Sequence, residues 1–224
     1  MIEPAKETSV RYNEGCLVAH ALNLIGDRWA LLVVRELMFA PKRFQMIRAG
    51  LPGITASVLT SRLTQLSRVG VVNYDERLGI YTLLDAGRDL LPVLEGLSRW
   101  SLTLPGHDAS RFISPSALII SMRVNLDADL ACGREALAGF DFGSEAFEVL
   151  VADGKLLTTS VSKLNTAIVL QGSGNTLATA VYCNVPLLSL VSHGTIDVQG
   201  DITLAIDFLS LFKFGPPHGQ AKCS

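Results

Sequence analysis

The chain has few cysteines and histidines, and none of them is grouped with another. Its four cysteines form no CxxC pair, and its four histidines form no HExxH pattern. Zinc sites and disulfide frameworks need closely spaced ligands or paired thiols. The sequence therefore predicts no metal site, and it carries no pattern that calls for a cofactor.

Long apolar runs are also missing. The longest candidates are short pieces such as WALLVV, far below the roughly 18 to 20 residues that a membrane-spanning helix needs. The start, MIEPAKETSVRYNEG, has mixed charge and no apolar segment, unlike a signal peptide. We therefore expect a cytoplasmic protein that does not contact a membrane. A hydrophobic content of 49% with 18% charged residues is typical of an ordered globular chain.

Carboxylates are scarce in one segment. Residues 28–68 contain seven lysines and arginines but only one acidic side chain, Glu36. The remainder of the chain is mildly acidic, so this cationic patch is local. It favours a polyanionic partner for that segment, although a basic face that is simply solvated has the same composition.

Two parts of the chain differ in pattern, and together they predict an α+β protein. Residues 14–102 are mostly helical with one β-hairpin, residues 103–116 (TLPGHDASRFISPS) form a linker, residues 117–214 form a smaller α+β domain, and residues 215–224 form a flexible tail. In the first part, Thr55 is a good N-cap for a helix that runs to Val69, and Gly70 stops it. A hairpin spanning 71–83 follows, and we expect Asp85 to cap a final helix over 86–101.

The helix after Thr55 has an unusual polar face. Leu59, Leu63 and Leu66 fall on one side and predict the buried stripe. The opposite side and its flanks carry short hydroxyls, an amide and guanidinium groups, where an exposed helix normally mixes Glu and Lys. These residues are Ser57, Ser61, Arg62, Thr64, Gln65 and Arg68.

Such a face suits a groove of double-stranded DNA. Short side chains let the backbone approach the duplex, Gln and Arg can form bidentate bonds to bases, and no carboxylate repels the phosphates. The short helix before it and the hairpin after it give a winged helix-turn-helix pattern. We therefore expect Ser57, Ser61, Arg62, Gln65 and Arg68 to enter the major groove, with Thr55 and Thr64 beside them. Lys42, Arg43 and Arg77 are predicted to contact phosphate or to enter the adjacent groove.

The segment from Cys16 to Ser101 resembles the winged helix-turn-helix domain of HxlR-type transcription regulators, in the MarR-like superfamily. The resemblance rests on IGDRWALLVVREL with its Gly-Asp-Arg-Trp signature, on Lys42-Arg43-Phe44, on the turn Leu51-Pro52-Gly53-Ile54 and on the leucine pattern of the recognition helix. Two positions depart from the family pattern: Leu84 stands where a threonine is usual, and Leu17 replaces a proline.

The resemblance implies a homodimer that binds a two-fold operator. In the family, the first and last helices of the domain pair two subunits; the apolar residues of those helices here could also pack within one subunit. It also draws attention to Cys16, because some members sense oxidants or electrophiles with a cysteine at this position. A cysteine that is simply buried at the start of an apolar helix is the alternative.

The second part is similar to a sterol-carrier-type lipid-binding domain. The features are the strand pair FEVLVADGKLL, a strand near 167–170, apolar helices before His193, and the Gly200-Asp201 turn before a last helix. The resemblance implies an apolar tunnel and an apolar small-molecule effector, whose binding residues the sequence does not identify. A domain that only stabilises or dimerises the protein is the alternative.

These observations favour a transcription regulator over two other classes of protein. No Ser-His-Asp or Cys-His arrangement stands out, so an enzyme is the least favoured. The main alternative is a protein that binds or transfers lipids, in which the helical part serves only for assembly.

Overall fold

The computed structural model describes residues 11–183 and 185–213. The predicted tail at 215–224 and Phe214 lie outside the described residues. The first part contains four helices, a two-stranded hairpin and two further helices: α1 Leu17–Ile25, α2 Ala30–Leu37, α3 Phe44–Ala49, α4 Ala56–Arg68, β1 Val72–Asp75, β2 Ile80–Leu83, α5 Asp85–Arg88 and α6 Leu91–Ser101.

The second part is a five-stranded mixed sheet with helices. Its elements are α7 Pro115–Asn125, α8 Ala128–Ala131, β3 Ala136–Asp141, β4 Ala146–Ala152, β5 Lys155–Val161, β6 Ile168–Gln171, α9 Gly174–Tyr182, α10 Leu187–Ser192, β7 Asp197–Gly200 and α11 Ile202–Leu209. The strand order is β5-β4-β3-β6-β7, and β3 and β6 are the parallel pair. Asp153 and Gly154 form the turn that joins β4 to β5, and both have positive φ, as a two-residue hairpin turn of this kind requires.

The last helix of the first part differs from the prediction. It is divided into α5 and α6, and Leu84, which has no side-chain cap, precedes α5. Asp85 is the first helical residue, not the cap, and its carboxylate pairs with Arg88 at 3.0 Å. A threonine at position 84 would supply the missing cap acceptor.

The predicted linker is shorter than 103–116. Helix α7 begins at Pro115, and the hydroxyl of Ser114 caps it by accepting a hydrogen bond from the Ala117 amide at 3.2 Å. Proline at the first helical position fits because its missing N–H has no partner there. The irregular segment therefore ends at residue 113.

Helix α7 is shared by the two hydrophobic cores. Leu118, Ile119 and Met122 pack into the core of the second part, whereas Ile120 packs into that of the first. A helix that is apolar on several faces is buried on several faces. The aromatic ring of Phe39 reaches from the first part to Phe147 of β4, with ring centroids 6.3 Å apart, so the two parts are packed against each other.

The phenylalanines of the second part fill its core. Phe140, Phe147, Phe208 and Phe212 are each at most 5% exposed, and their rings contact one another or Phe142 at centroid distances of 5.5 to 6.4 Å. These side chains are core residues in this conformation.

Candidate nucleic-acid interface

Helix α4 is anchored on its apolar side, as the leucine spacing predicts. Leu59, Leu63 and Leu66 are at most 2% exposed. The Thr55 hydroxyl accepts a hydrogen bond from the Val58 amide at 3.3 Å, which satisfies one of the unpaired amides of the first turn. Gly70 ends the segment with φ of 75°, a conformation that glycine adopts without strain. The orientation of α4 is thus set by its core contacts and its cap.

The exposed stripe of α4 differs in part from the predicted one. Ser57, Thr64 and Arg68 are exposed, but Ser61 is half-buried. Thr60 and Ser67, which were not predicted, are exposed. Thr60 lies three residues after Ser57 and four before Thr64, and Ser67 lies three after Thr64, so all four are on the same face. Helical periodicity could therefore have identified Thr60 and Ser67. The stripe holds four hydroxyls and one guanidinium, and no residue of α4 is acidic.

Arg62 and Gln65 are directed towards the end of α1, which corrects their prediction as base-contacting residues. The Gln65 side-chain amide donates a hydrogen bond to the Leu24 carbonyl at 2.8 Å, and its oxygen accepts one from Arg62. Arg62 also lies 3.6 Å from the Asp27 carboxylate and donates to the Ser61 hydroxyl at 3.3 Å. Because both polar groups of the Gln65 amide are engaged, it cannot bind a base edge bidentately in this conformation. These two side chains hold α4 against α1.

Lys42 is buried, which corrects its prediction as a phosphate contact. Its side chain is 1% exposed, and its ammonium lies 2.8 Å from the Glu145 carboxylate of the second part. It also lies 3.4 Å from Glu36 and donates to the Ser116 hydroxyl at 3.1 Å. A polar pattern in the sequence could not reveal this, because Glu145 and Ser116 are about a hundred and about seventy residues away along the chain.

We call Glu36, Lys42, Ser114, Ser116 and Glu145 the buried polar cluster. Glu36 accepts hydrogen bonds from the Ser114 hydroxyl at 2.6 Å and from the Arg35 guanidinium at 2.7 Å. With Arg35 included, two cations face two carboxylates, as buried charges require. The cluster joins the first part to the second.

The hairpin β1–β2 presents its turn to solvent beside α3. Arg77 is exposed at the turn, and the Asp75 carboxylate orders the turn by accepting from the Arg77 amide at 2.9 Å. Arg43 is exposed and lies close to Gly79 of the turn: a Cβ added to Gly79 would be about 4.0 Å from its guanidinium. The backbone of Lys42 pairs with Tyr81 of β2 in both directions. Arg43 therefore lies near the hairpin turn that contains Arg77, and both side chains are exposed to solvent.

Helices α1 and α6 expose apolar side chains. On α1, Leu17 is 85% and Val18 is 67% exposed. On α6, Val93, Leu97 and Trp100 are exposed at the i, i+4, i+7 spacing of one helix face. Exposed apolar groups of this kind are typical of interaction surfaces.

Cys16 is exposed and stands at the N-cap position of α1, without a side-chain cap bond. The buried alternative for this thiol is therefore wrong in this structure.

The described residues contain neither a cluster of metal ligands nor a single helix that could span a membrane. Within 11–183 and 185–213, no group of three His, Cys, Asp or Glu side chains is placed to hold a metal ion. Over the same residues, no single helix has the length and apolarity to cross a membrane, although α1 and α2 together, bent by 76°, have both.

The hairpin-flanked helix α4 and its preceding turn define a winged helix-turn-helix protein. Residues 24–107 match the model of the HxlR-like helix-turn-helix family. The Bacillus subtilis protein YvaP, named an uncharacterized HTH-type transcriptional regulator, is 35% identical over 104 residues, which cover 44% of this chain and 88% of YvaP. The chain belongs to the HxlR-like helix-turn-helix family.

Other relatives match the same part of the chain. An uncharacterized HTH-type transcriptional regulator of Mycobacterium tuberculosis H37Rv is 41% identical over 92 residues, which cover 39% of this chain and 58% of that protein. Among solved structures, the quinone-bound YodB from B. subtilis is 33% identical, with a TM-score of 0.37, and the match covers 39% of this chain and 97% of YodB. This chain thus spans little more than half the length of the mycobacterial relative.

Proposed function

We propose that the protein is a DNA-binding transcription regulator that binds a two-fold operator as a homodimer. The observation that carries the proposal is the exposed, acid-free stripe of α4. Arg43 and Arg77, which are exposed around the hairpin turn, add positive charge. The relatives of the first part are named transcriptional regulators, which supports the same function.

In this proposal α4 lies in the major groove. The short hydroxyls of Ser57, Thr60 and Thr64 let the helix approach the base edges, and Arg68 supplies the bidentate donor. Arg43 and Arg77 neutralise phosphates and release counterions. Arg62 and Gln65 act indirectly by fixing α4 on α1.

The homodimer would form through α1 and α6. Their exposed residues, Leu17, Val18, Val93, Leu97 and Trp100, would lose apolar area to water on association, at about 25 cal/mol per Å². A two-fold dimer presents two copies of α4 to half-sites about 34 Å apart. Two-fold symmetry of the operator follows from that of the dimer.

Cys16 remains a proposed redox sensor. The thiol is exposed at the start of α1, where oxidation or alkylation would alter a helix that we assign to the dimer interface. Cys132 is an exposed thiol of the second part and directly follows α8. Its replacement by serine is therefore the matched control for any effect of replacing Cys16.

The alternative is a carrier of lipids or other apolar molecules. The resemblance of the second part to sterol-carrier domains favours it and stays a prediction. A carrier would extract lipid without dependence on salt and would not bind DNA, whereas a regulator would retard duplexes with a steep salt dependence.

The test is selection from a random-sequence duplex pool, followed by gel retardation of the enriched duplex between 50 and 300 mM salt. The slope of log K against log salt is negative, and its magnitude is expected to fall by about 0.9 for every phosphate contact that is lost. We expect Arg77→Ala to weaken binding to all duplexes alike and to lower that magnitude, because its contact carries no base information. Arg134→Ala, an exposed arginine of the second part, is the matched control and should change neither. Failure to enrich or retard any duplex at 50 mM salt would refute the proposed function.

A further inference from the structure

A cavity of about 500 Å³ lies between the two parts of the chain. Its walls come from α2, the turn between α3 and α4, the segment 107–114, α7 and α9. Three aromatic side chains, Trp29, Phe112 and Tyr182, contribute to the lining, which is mainly apolar. This volume falls in the range of small-molecule sites, which are apolar with a few fixed polar groups.

The charged groups of the lining are paired within the protein. The Arg35 guanidinium donates to Glu36 at 2.7 Å and to the Gly50 carbonyl at 3.0 Å. Arg111 donates to the Asp108 carboxylate at 3.1 Å. An ionic ligand would have to compete with these pairs, so the lining favours a neutral molecule.

Tyr182 adds a neutral polar group. Burial raises the pKa of its phenol well above the ordinary value, so the group stays protonated. Its hydroxyl donates to the Ser121 hydroxyl at 2.9 Å, which fixes the ring at the wall. The aromatic side chains offer offset or edge contacts to a planar ligand, worth about 0.5–1.5 kcal/mol each beyond their buried area.

The cavity touches the element that positions α4. Gly50, Leu51 and Pro52, which line it, form the turn that leads into α4. Gly50 packs directly against the Glu36 carboxylate, because a Cβ added to Gly50 would lie 2.1 Å from it. Ser114, also in the lining, donates to the same carboxylate at 2.6 Å. A molecule in the cavity therefore contacts both the turn of the helix-turn-helix and the buried polar cluster.

We propose that this cavity is an effector site for a neutral, largely aromatic molecule, and that its occupation changes the affinity of α4 for DNA. The effector role rests on the proposed function, whereas the binding site does not. Coupling requires that the ligand bind the DNA-competent and DNA-incompetent conformations with different affinity.

The binding experiment compares two fluorescent probes that share the same anilinonaphthalene ring system and differ in charge. N-phenyl-1-naphthylamine is neutral, and 8-anilinonaphthalene-1-sulfonate adds one negative charge. In the Trp100→Phe chain Trp29 is the only tryptophan, so its emission reports on the cavity. We expect saturable quenching by the neutral probe, with the sulfonate at least about tenfold weaker.

Two variants locate the probe. Ala178→Phe fills the cavity from α9 and should abolish quenching. Phe112→Ala removes a ring that is 54% exposed, so folding is not at stake, and should weaken binding by up to about tenfold. Leu157→Ala, at 53% exposure and outside the cavity, is the matched control and should bind normally.

The DNA experiment uses the chain without tryptophan replacement. Saturating neutral probe should change the dissociation constant for the selected duplex by about fivefold or more, as allosteric couplings do, and should have no effect on Ala178→Phe. Absence of saturable quenching, or equal binding of the sulfonate, would overturn the site assignment. Probe binding that leaves DNA affinity unchanged would overturn the effector role. If the probe binds but no duplex does, the proposed function fails, the binding site stands, and the carrier alternative gains support.

Discussion

Replacement of Lys42 by methionine separates two roles for the same residue. The sequence places Lys42 on the DNA-facing surface, whereas the structure places its ammonium in the buried polar cluster. Methionine keeps an unbranched, apolar side chain of similar length and removes the ammonium group with its hydrogen bonds. A phosphate contact would affect DNA binding alone, and a buried ion pair would affect folding.

The expected loss in the free energy of unfolding depends on which carboxylate loses its partner in Lys42→Met. Glu36 keeps the Arg35 guanidinium at 2.7 Å and the Ser114 hydroxyl at 2.6 Å. Glu145 loses its ion pair with Lys42, and its side chain is 7% exposed. Its second oxygen is buried with no hydrogen-bond partner among the described residues. Removing one member of a buried pair costs about 3–5 kcal/mol, since it leaves an uncompensated buried charge.

Urea unfolding followed by circular dichroism measures this cost. We expect Lys42→Met to lower the free energy of unfolding by about 3–5 kcal/mol. Adding Glu145→Gln should restore much of the loss, because the unpaired carboxylate is then gone. Arg43→Met, the exposed neighbouring cation, is the control and should shift stability by less than about 0.5 kcal/mol.

The salt dependence of DNA binding completes the comparison. Arg43→Met should reduce the magnitude of the slope of log K against log salt, because binding then releases one counterion fewer. Lys42→Met, measured where it is folded, should not. A stable Lys42→Met protein with a reduced salt slope would show that Lys42 faces DNA and would refute the assignment to the cluster.

Three further outcomes are expected. Gln65→Ala should lower the free energy of unfolding by about 1 kcal/mol in urea, because the bond to the α1 carbonyl is lost. In the same assay, Gly200→Ala should lower the free energy of unfolding by more than Gly143→Ala does. Both glycines have positive φ, but only at position 200 would a Cβ lie 2.0 Å from a backbone carbonyl oxygen. Cys16→Ser should abolish any release of DNA by peroxide or quinone, and Cys132→Ser should not; release that is unchanged in Cys16→Ser would dismiss the thiol as a sensor.

Local pattern predicted many of the elements. The hairpin β1–β2 lies within the predicted span of 71–83, and α4 begins after its Thr55 cap. These segments combine strong periodicity with a capping or turn residue that acts within a few positions. The short helix α8 and the break between α5 and α6 were missed, because four-residue helices carry too little periodicity to detect.

The direction of a polar side chain was harder to predict than its helix face. Ser57 and Thr64 are exposed as expected, because they are short and lie opposite the leucines. Arg62 and Gln65 lie on the flanks of α4, where a long side chain can turn to solvent or to a neighbouring helix. The position of α1 decided that question, and it follows from packing between segments about forty residues apart.

The sequence by itself determined the winged helix-turn-helix pattern, the acid-free face of α4 and the family of the first part. Each depends on residue types a few positions apart in the sequence, and local backbone geometry fixes how such residues lie relative to one another. Only the tertiary structure decided that Lys42 is buried and that a cavity lies behind the turn leading into α4. Both depend on how the second part packs on the first, because burial and cavity shape are properties of surfaces brought together from distant segments.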